Sequence, residues 1–167
     1  GGAGGILCQR TSPQIIDCTM TANTLAAAEG GGGLYVVADL NGSNASPIVQ
    51  NCRFTGNLST GGGGGGVTCV VSNGGSSTMS MTNCIVANNF VSASVGGGVA
   101  FSKSGSGTLS PTMTACTVMN NVAIGQGGGI YANTFNTITL SRCRILNNTA
   151  YTGNNNSSSV GGGLHFA

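Results

Sequence analysis

The chain has 167 residues and a formal net charge of +2, and only 5% of its residues are charged and 5% aromatic. The five basic residues are scattered, so the electrostatic footprint of a nucleic-acid-binding protein is missing. The sequence contains no apolar run of transmembrane length and no signal peptide, and its start at Gly1 rather than Met favours a processed form or a piece of something longer.

A glycine-rich run, residues 1–5, opens the chain in mid-repeat and is followed by a segment with a period of two. Ile6 and Cys8 would face one side, and Leu7 and Gln9 the other. This alternation is typical of a β-strand.

One order of residues then recurs along the sequence: a cysteine, an asparagine five residues later, a glycine triplet, and an aliphatic residue. The cysteines are Cys18, Cys52, Cys84, Cys116 and Cys143, and the asparagines are Asn23, Asn57, Asn89, Asn121 and Asn148. The aliphatic residues are Leu34, Val67, Val99, Ile130 and Leu164. Neighbouring cysteines are 27 to 34 residues apart, which is a spacing typical of solenoids, propellers and arrays.

Equivalent positions form columns of similar side chains. The column three residues before each cysteine is apolar and is predicted to face inward: Ile15, Val49, Met81, Met113 and Leu140. The column two residues after each cysteine is also predicted to face inward: Met20, Phe54, Val86, Val118 and Ile145. An odd number of residues separates the first column from the cysteine, so the chain must bend between them. A mixed column after the glycines suits a solvent face: Leu7, Tyr35, Thr68, Ala100, Tyr131 and His165.

These columns predict an all-β fold, a right-handed parallel β-helix of about five coils with three short strands per coil and open, uncapped ends. Residues 1–167 would form one segment, part of a longer array or filament. The predicted coils are roughly residues 6–33, 34–66, 67–98, 99–129 and 130–163. Insertions fall in the loops after the post-glycine strand and before the glycine triplet, as in other solenoids.

The cysteine and asparagine columns are predicted to be structural ladders inside the coils. Stacked cysteines would lie about 4.8 Å apart, where parallel side chains hold the Cβ atoms too far apart for a disulfide, so we expect buried thiols. Stacked carboxamides at a bend can bond to each other and to the backbone, and glycines permit positive φ or close backbone approach at another corner. Neither column requires a ligand.

The corners Gly1-Gly2-Ala3 and Gly128-Gly129-Ile130 and the Phe-x-x-Asn element at residues 54–57 resemble a known group of repeats. They are similar to the repeats of chlamydial polymorphic outer-membrane proteins and related right-handed β-helix proteins of the pectate-lyase superfold. The resemblance covers all five coils, although only one carries the Phe. It implies a surface-exposed or secreted protein that acts in adhesion or surface structure, and it does not imply membrane anchoring, because no autotransporter barrel follows.

Enzymes on this superfold mostly cleave polysaccharides, so the resemblance implies polysaccharide cleavage as the enzymatic alternative. Glycoside hydrolysis needs two carboxylates about 5 to 9.5 Å apart. The three acids are Asp17, Glu29 and Asp39, and no neighbouring coil repeats an acid in these positions. His165, the only histidine, lies in the mixed column and is expected to be a surface residue. No Cys-x-x-Cys pair indicates zinc. We therefore predict no enzymatic activity, cofactor or metal.

Asparagine sequons are frequent. They begin at Asn41, Asn44, Asn57, Asn147, Asn155 and Asn156. Asn57 belongs to the inward ladder and should be unmodified, whereas Asn41, Asn44, Asn155 and Asn156 lie in the longest loops and are candidates for N-glycosylation.

The sequence thus predicts an extracellular or cell-surface, non-enzymatic structural or adhesive protein, a repeating unit of a surface fibre. Its expected partners are copies of itself stacked end to end or other surface proteins, without nucleic acid or direct membrane insertion. The alternative is a carbohydrate-binding or polysaccharide-degrading β-helix protein.

Overall fold

A computed structural model describes residues 1–27, 29–133, 137–151 and 161–167. These residues contain 25 short strands and no helix, and the strands stack as a parallel β-solenoid of about five coils. The predicted all-β solenoid is therefore confirmed.

Four principal sheets, A to D, run along the stack. Sheet A follows the glycines and contains β2 (Ile6–Gln9), β7 (Leu34–Ala38), β11 (Val67–Val71), β16 (Val99–Lys103), β21 (Ile130–Ala132) and β25 (Leu164–Phe166). Sheet B precedes the ladder cysteines and contains β3 (Gln14–Ile16), β8 (Ile48–Gln50), β13 (Ser80–Thr82), β18 (Thr112–Thr114) and β22 (Thr139–Ser141).

Sheet C follows the cysteines, and sheet D follows the ladder asparagines. Sheet C contains β4 (Thr19–Thr21), β9 (Arg53–Thr55), β14 (Ile85–Ala87), β19 (Thr117–Met119) and β23 (Arg144–Leu146). Sheet D contains β5 (Thr24–Leu25), β10 (Leu58–Ser59), β15 (Phe90–Val91), β20 (Val122–Ile124) and β24 (Thr149–Tyr151). Two smaller sheets pair β1 (Gly2–Ala3) with β6 (Gly30–Gly31) and β12 (Ser76–Ser77) with β17 (Thr108–Leu109). Sheets A, B and C hold the three predicted strands of each coil, and sheet D adds a fourth.

Equivalent residues pair in register from coil to coil. In sheet A, Leu34 pairs with both Ile6 and Val67, and Val99 pairs with both Val67 and Ile130. All principal pairings are parallel, so each inward side chain lies over its equivalent in the next coil. This register creates the continuous columns that the sequence pattern predicts.

The predicted bend before each cysteine is a single residue with left-handed backbone. This position has φ between 53° and 54° in every coil and is occupied by Asp17, Asn51, Asn83, Ala115 and Arg142. A second left-handed residue precedes each ladder asparagine: Ala22, Gly56, Asn88, Asn120 and Asn147. One left-handed residue shifts the side-chain alternation, so that both the residue two positions before it and the cysteine directly after it face the core.

The core consists of the inward columns of sheets A, B and C. Val49, Phe54 and Met113 are fully buried, as are Val36 and Phe101 in sheet A. Leu140 and Ile145, in the last coil, are partly buried and pack against this cluster. Stacked aliphatic and aromatic side chains thus exclude water along the described stack.

The predicted solvent exposure of the mixed column in sheet A is wrong at its centre. Leu7 is 45% exposed, but Tyr35, Thr68 and Ala100 are 3%, 1% and 0% exposed. The glycine-rich segments fold back over this face and are held there by hydrogen bonds. The Gly64 amide donates to Thr68 Oγ1 at 2.6 Å, and Thr68 Oγ1 donates to the Gly30 carbonyl at 3.0 Å. The segments that lead into sheet A therefore also cover part of its outer surface.

Candidate functional site

The asparagine column is a directional hydrogen-bond ladder inside the solenoid. Asn57, Asn89 and Asn121 are at most 1% exposed, and Asn23 and Asn148 are partly buried at the two ends of the column. Nδ2 of each ladder asparagine except Asn148 donates to Oδ1 of the ladder asparagine in the next coil at 2.9 to 3.0 Å. The same Oδ1 also accepts the backbone N–H of the preceding ladder asparagine at 2.9 to 3.1 Å.

A second bond ties each buried carboxamide to the backbone of the previous coil. Nδ2 of Asn89 donates to the Phe54 carbonyl at 2.9 Å, and Nδ2 of Asn57 donates to the Met20 carbonyl at 3.0 Å. Both donors and both lone pairs of an interior ladder carboxamide are satisfied without a ligand, so the column is a structural element.

The cysteine column consists of free thiols, and so do Cys8 and Cys69. The Cys84 thiol donates to the Thr82 carbonyl at 3.3 Å, and the equivalent bond recurs from coil to coil. Burial raises the pKa of Cys8, and it raises the pKa of Cys69 to about 12. A hydrogen bond with Cys116 raises the pKa of Cys84, and burial adds to this rise. The raised pKa values suit Cys8, Cys69 and Cys84 to a role as small core residues rather than as nucleophiles, whereas the same hydrogen bond with Cys84 lowers the pKa of Cys116 to about 7.

A cleft of about 380 Å³ lies on the outer face of sheet A and spans four coils. Alternate sheet residues form its floor, among them Leu7, Val37 and Val70. The glycine-rich segments form one wall, and Asp39 and two serines, Ser72 and Ser104, lie at the opposite side. The cleft exists because the glycine segments cover only part of the sheet.

The cleft brings together two carboxylates that the sequence places in separate loops, Glu29 and Asp39. Asp39 is partly neutralised, because its Oδ1 lies 3.4 Å from Nε of Arg10 and its Oδ2 accepts from Gln9 Nε2 at 3.3 Å. Asp39 Oδ1 is buried and accepts no hydrogen bond from the described residues. Glu29 is exposed, and no described residue forms an ion pair or side-chain hydrogen bond with its carboxylate.

Tyr35 lies in the same cleft, in the column that was expected to face solvent. Its side chain is almost fully buried, and its hydroxyl group makes no hydrogen bond to any residue that the structure describes. Burial, together with the negative charges of Glu29 and Asp39, raises the pKa of Tyr35 to about 12. Sequence reasoning missed this residue, because the periodicity places it on an outer face and cannot show that the glycine segments cover that face.

The remaining predicted residues lie outside the cleft. Asp17 is exposed and accepts from Nδ2 of Asn51 at 3.0 Å. His165 is partly buried, and its ring stacks on Tyr131 with a centroid separation of 5.8 Å. Neither residue lines the cleft with Glu29 and Asp39.

Two of the four candidate glycosylation sites can be located. Asn41 is exposed in a turn, and Asn44 is exposed but bonded, since its Oδ1 accepts from Ser12 Oγ at 2.9 Å and its Nδ2 donates to Ser76 Oγ at 3.2 Å. Asn155 and Asn156 lie outside the described residues. Of the located pair, Asn41 offers the freer carboxamide for modification.

The part of the chain that the structure describes contains no group of three or more His, Cys, Asp or Glu residues placed to hold a metal ion. Within the same ranges, no helix has the length and apolar character needed to cross a membrane. Comparisons with family models, with curated proteins and with solved structures found no match to this chain.

Proposed function

We propose that this chain is an extracellular, non-enzymatic structural or adhesive protein whose solenoid serves as a stiff segment of a surface fibre. The observation that carries this proposal is the unbroken parallel register of the four principal sheets, reinforced by the internal asparagine ladder. Backbone hydrogen bonds parallel to the axis resist bending and stretching cooperatively. The resemblance to chlamydial polymorphic outer-membrane proteins and the pectate-lyase superfold supports the surface location and the adhesive role.

The direction of the ladder supports the proposed end-to-end self-association. Asn148 Nδ2 donates to the Val118 carbonyl, whereas the equivalent nitrogens in earlier coils also donate to the next ladder asparagine. At the other end, Asn23 Oδ1 accepts no such bond among the described residues. A donor end can therefore meet an acceptor end of another copy in a heterologous, head-to-tail contact, which generates filaments rather than closed dimers.

Glycans on the exposed loop at Asn41, and on Asn44, Asn155 or Asn156, fit the same proposal, because they would decorate loops and leave the core untouched. Intact mass of the protein from a eukaryotic secretory host tests this point. We expect added N-acetylhexosamine and hexose mass that decreases by one glycan in Asn41→Gln.

The assembly is tested by sedimentation velocity and electron microscopy of the purified chain over a range of concentrations. We expect linear oligomers whose length grows with concentration. Asn148→Asp removes the donor at one end while keeping an oxygen to accept from Asn121, and it should shorten them, while Asn147→Asp, next to it on the exposed surface, controls for the added charge. A monodisperse monomer at all concentrations contradicts the assembly.

A second function is favoured by the cleft, because Glu29 and Asp39 line one groove that runs across several coils. This arrangement supports the alternative of a carbohydrate-binding or polysaccharide-degrading protein. We expect no depolymerisation, since Asp39 is engaged by Arg10 and Gln9. Release of reducing ends from a polysaccharide panel that is lost in Asp39→Asn would replace the structural proposal with an enzymatic one.

A further inference from the structure

Sheet B carries a block of hydroxyl side chains on its outer face. In β13, β18 and β22 the middle residue, Met81, Met113 or Leu140, packs into the core, so the residues on either side of it face outward. These outward residues are all serine or threonine, and each is half-buried or exposed. They form what we call the hydroxyl array: Ser80, Thr82, Thr112, Thr114, Thr139 and Ser141.

The hydroxyl array is regular in two directions. The three strands pair residue for residue, so that Ser80 lies beside Thr112 and Thr112 beside Thr139, and the second column pairs in the same way. Neighbouring strands lie about 4.8 Å apart, and alternate residues of one strand lie about 6.6 Å apart. The residue just before each strand's first buried neighbour continues the pattern outside the array, since it also carries a hydroxyl group: Thr78, Ser110 and Thr137.

The hydroxyl groups of the array are free to bind. None of the six forms a hydrogen bond with a residue that the structure describes, whereas in sheet C Thr55 Oγ1 donates to Thr21 Oγ1 at 3.2 Å. Each hydroxyl can donate one hydrogen bond and accept two. The branched Cβ of threonine restricts its χ1 angle, so the hydroxyl directions are set before a ligand arrives and less entropy is lost on binding.

The composition of sheet B narrows the choice of ligand. Its five strands contain no charged and no aromatic residue, and the bend after β22 brings Arg142 only to the edge of the array. An ionic ligand therefore finds no row of counter-charges on this face. The ring faces of a sugar polymer find no aromatic side chain to stack on.

The spacing of the hydroxyl array matches that of water in ice. Oxygens joined by O–H···O bonds of about 2.75 Å at tetrahedral angles lie about 4.5 Å from their second neighbours. The strand spacing of about 4.8 Å differs from this repeat by about 0.3 Å, so the offset over three coils is only about 0.6 Å. That offset is comparable to the spread of O–H···O bond lengths, so each column of hydroxyls can stand in for a row of water oxygens.

We propose that the outer face of sheet B is an ice-binding surface, on which the hydroxyl array occupies positions of water oxygens in the ice lattice. This function goes beyond the structural or adhesive role, and it holds for a monomer as well as for a filament. The solenoid suits it, because each coil adds one more row to the same lattice.

Growth of single ice crystals in a solution of the full chain, followed by microscopy under controlled cooling, tests the proposal. We expect faceted crystals and a freezing point below the melting point, a gap that widens with protein concentration. Thr112→Tyr places a ring above the array and should remove most of this gap, while the fold, checked by circular dichroism, is kept because tyrosine suits the outer face of a strand. Thr114→Lys should have the same effect through a long, strongly hydrated side chain.

Thr117→Tyr is the matched control, because Thr117 is a half-buried threonine of the same coil on the outer face of sheet C. It should leave the gap between freezing and melting unchanged. Rounded crystals and no such gap in the parent chain overturn the proposal, as do equal losses in Thr112→Tyr and Thr117→Tyr. Co-sedimentation with crystalline cellulose or chitin that Thr112→Tyr abolishes, in a protein without effect on ice, assigns the face to a polysaccharide and also overturns it.

Discussion

Replacing Asn89 with alanine tests whether the asparagine ladder holds the coils together. Asn89 is fully buried, and its carboxamide takes part in four hydrogen bonds. Nδ2 donates to the Phe54 carbonyl and to Asn121 Oδ1, both at 2.9 Å. Oδ1 accepts from N and Nδ2 of Asn57, at 2.9 and 3.0 Å.

The magnitude follows from these contacts. Four bonds at a net value of about 1 kcal/mol each give about 4 kcal/mol, and the backbone N–H of Asn57 is left buried without its acceptor, which adds about 1 to 2 kcal/mol. The total of about 5 to 6 kcal/mol is a large fraction of the stability of an ordinary domain. We therefore expect Asn89→Ala to unfold at a much lower denaturant concentration than the parent chain.

Asn23→Ala is the matched control. The Asn23 side chain is partly buried and contributes a single bond of 2.9 Å, from Nδ2 to Asn57 Oδ1, so its loss should cost about 1 kcal/mol. Urea unfolding followed by far-ultraviolet circular dichroism gives the two values, and amide hydrogen exchange at Asn57 should accelerate in Asn89→Ala. Equal destabilisation by the two substitutions, or unchanged protection of Asn57, would refute the ladder as the source of stability.

Three further predictions concern the bends, the thiols and pH. Ala115 is exposed and has φ of 53°, a left-handed conformation that asparagine tolerates better than alanine does. Ala115→Asn should therefore raise the free energy of unfolding by about 0.5 to 1 kcal/mol. A lower urea midpoint would contradict this. A thiol reagent should label Cys18 and Cys143, the partly exposed cysteines, well before Cys69, and fast labelling of all seven in native protein would contradict the burial. Because burial raises the pKa of Cys69 from 9.0 to about 12, the unfolded chain binds fewer protons between these values. The contribution of this thiol to the free energy of unfolding should thus be fully present below pH 9 and should fall above pH 9 by up to about 1.4 kcal/mol per pH unit. A free energy of unfolding that stays constant from pH 8 to 11 would count against the burial of Cys69.

The repeat, the inward columns and the bend before each cysteine could be read from the sequence. Ile15 and Cys18 are both apolar at an odd separation, and side chains alternate along a strand, so the sequence pattern alone requires a bend between them. The structure places a left-handed residue there in every coil. The identity of that residue could not be read from the pattern, because Asp, Asn, Ala and Arg all occupy it.

The burial of Tyr35 and Thr68 was decided by the tertiary structure alone. Glycine has no side chain whose polarity could indicate which face it covers. Its wide range of φ and ψ also permits many paths into the next strand. The path over sheet A depends on contacts between coils, such as the bond from Thr68 to the Gly30 carbonyl.

The sequence by itself determined that the side chains stack, because apolar, cysteine and asparagine residues recur at fixed positions that only a coiled register can superimpose. Only the tertiary structure decided what the outer surface presents. Glu29 and Asp39 lie in different segments and belong to no repeated column, and their common cleft arises where the glycine segments leave part of sheet A uncovered. A repeating pattern specifies the interior that every coil shares, whereas a site made by residues that occur once depends on the folded path of the chain.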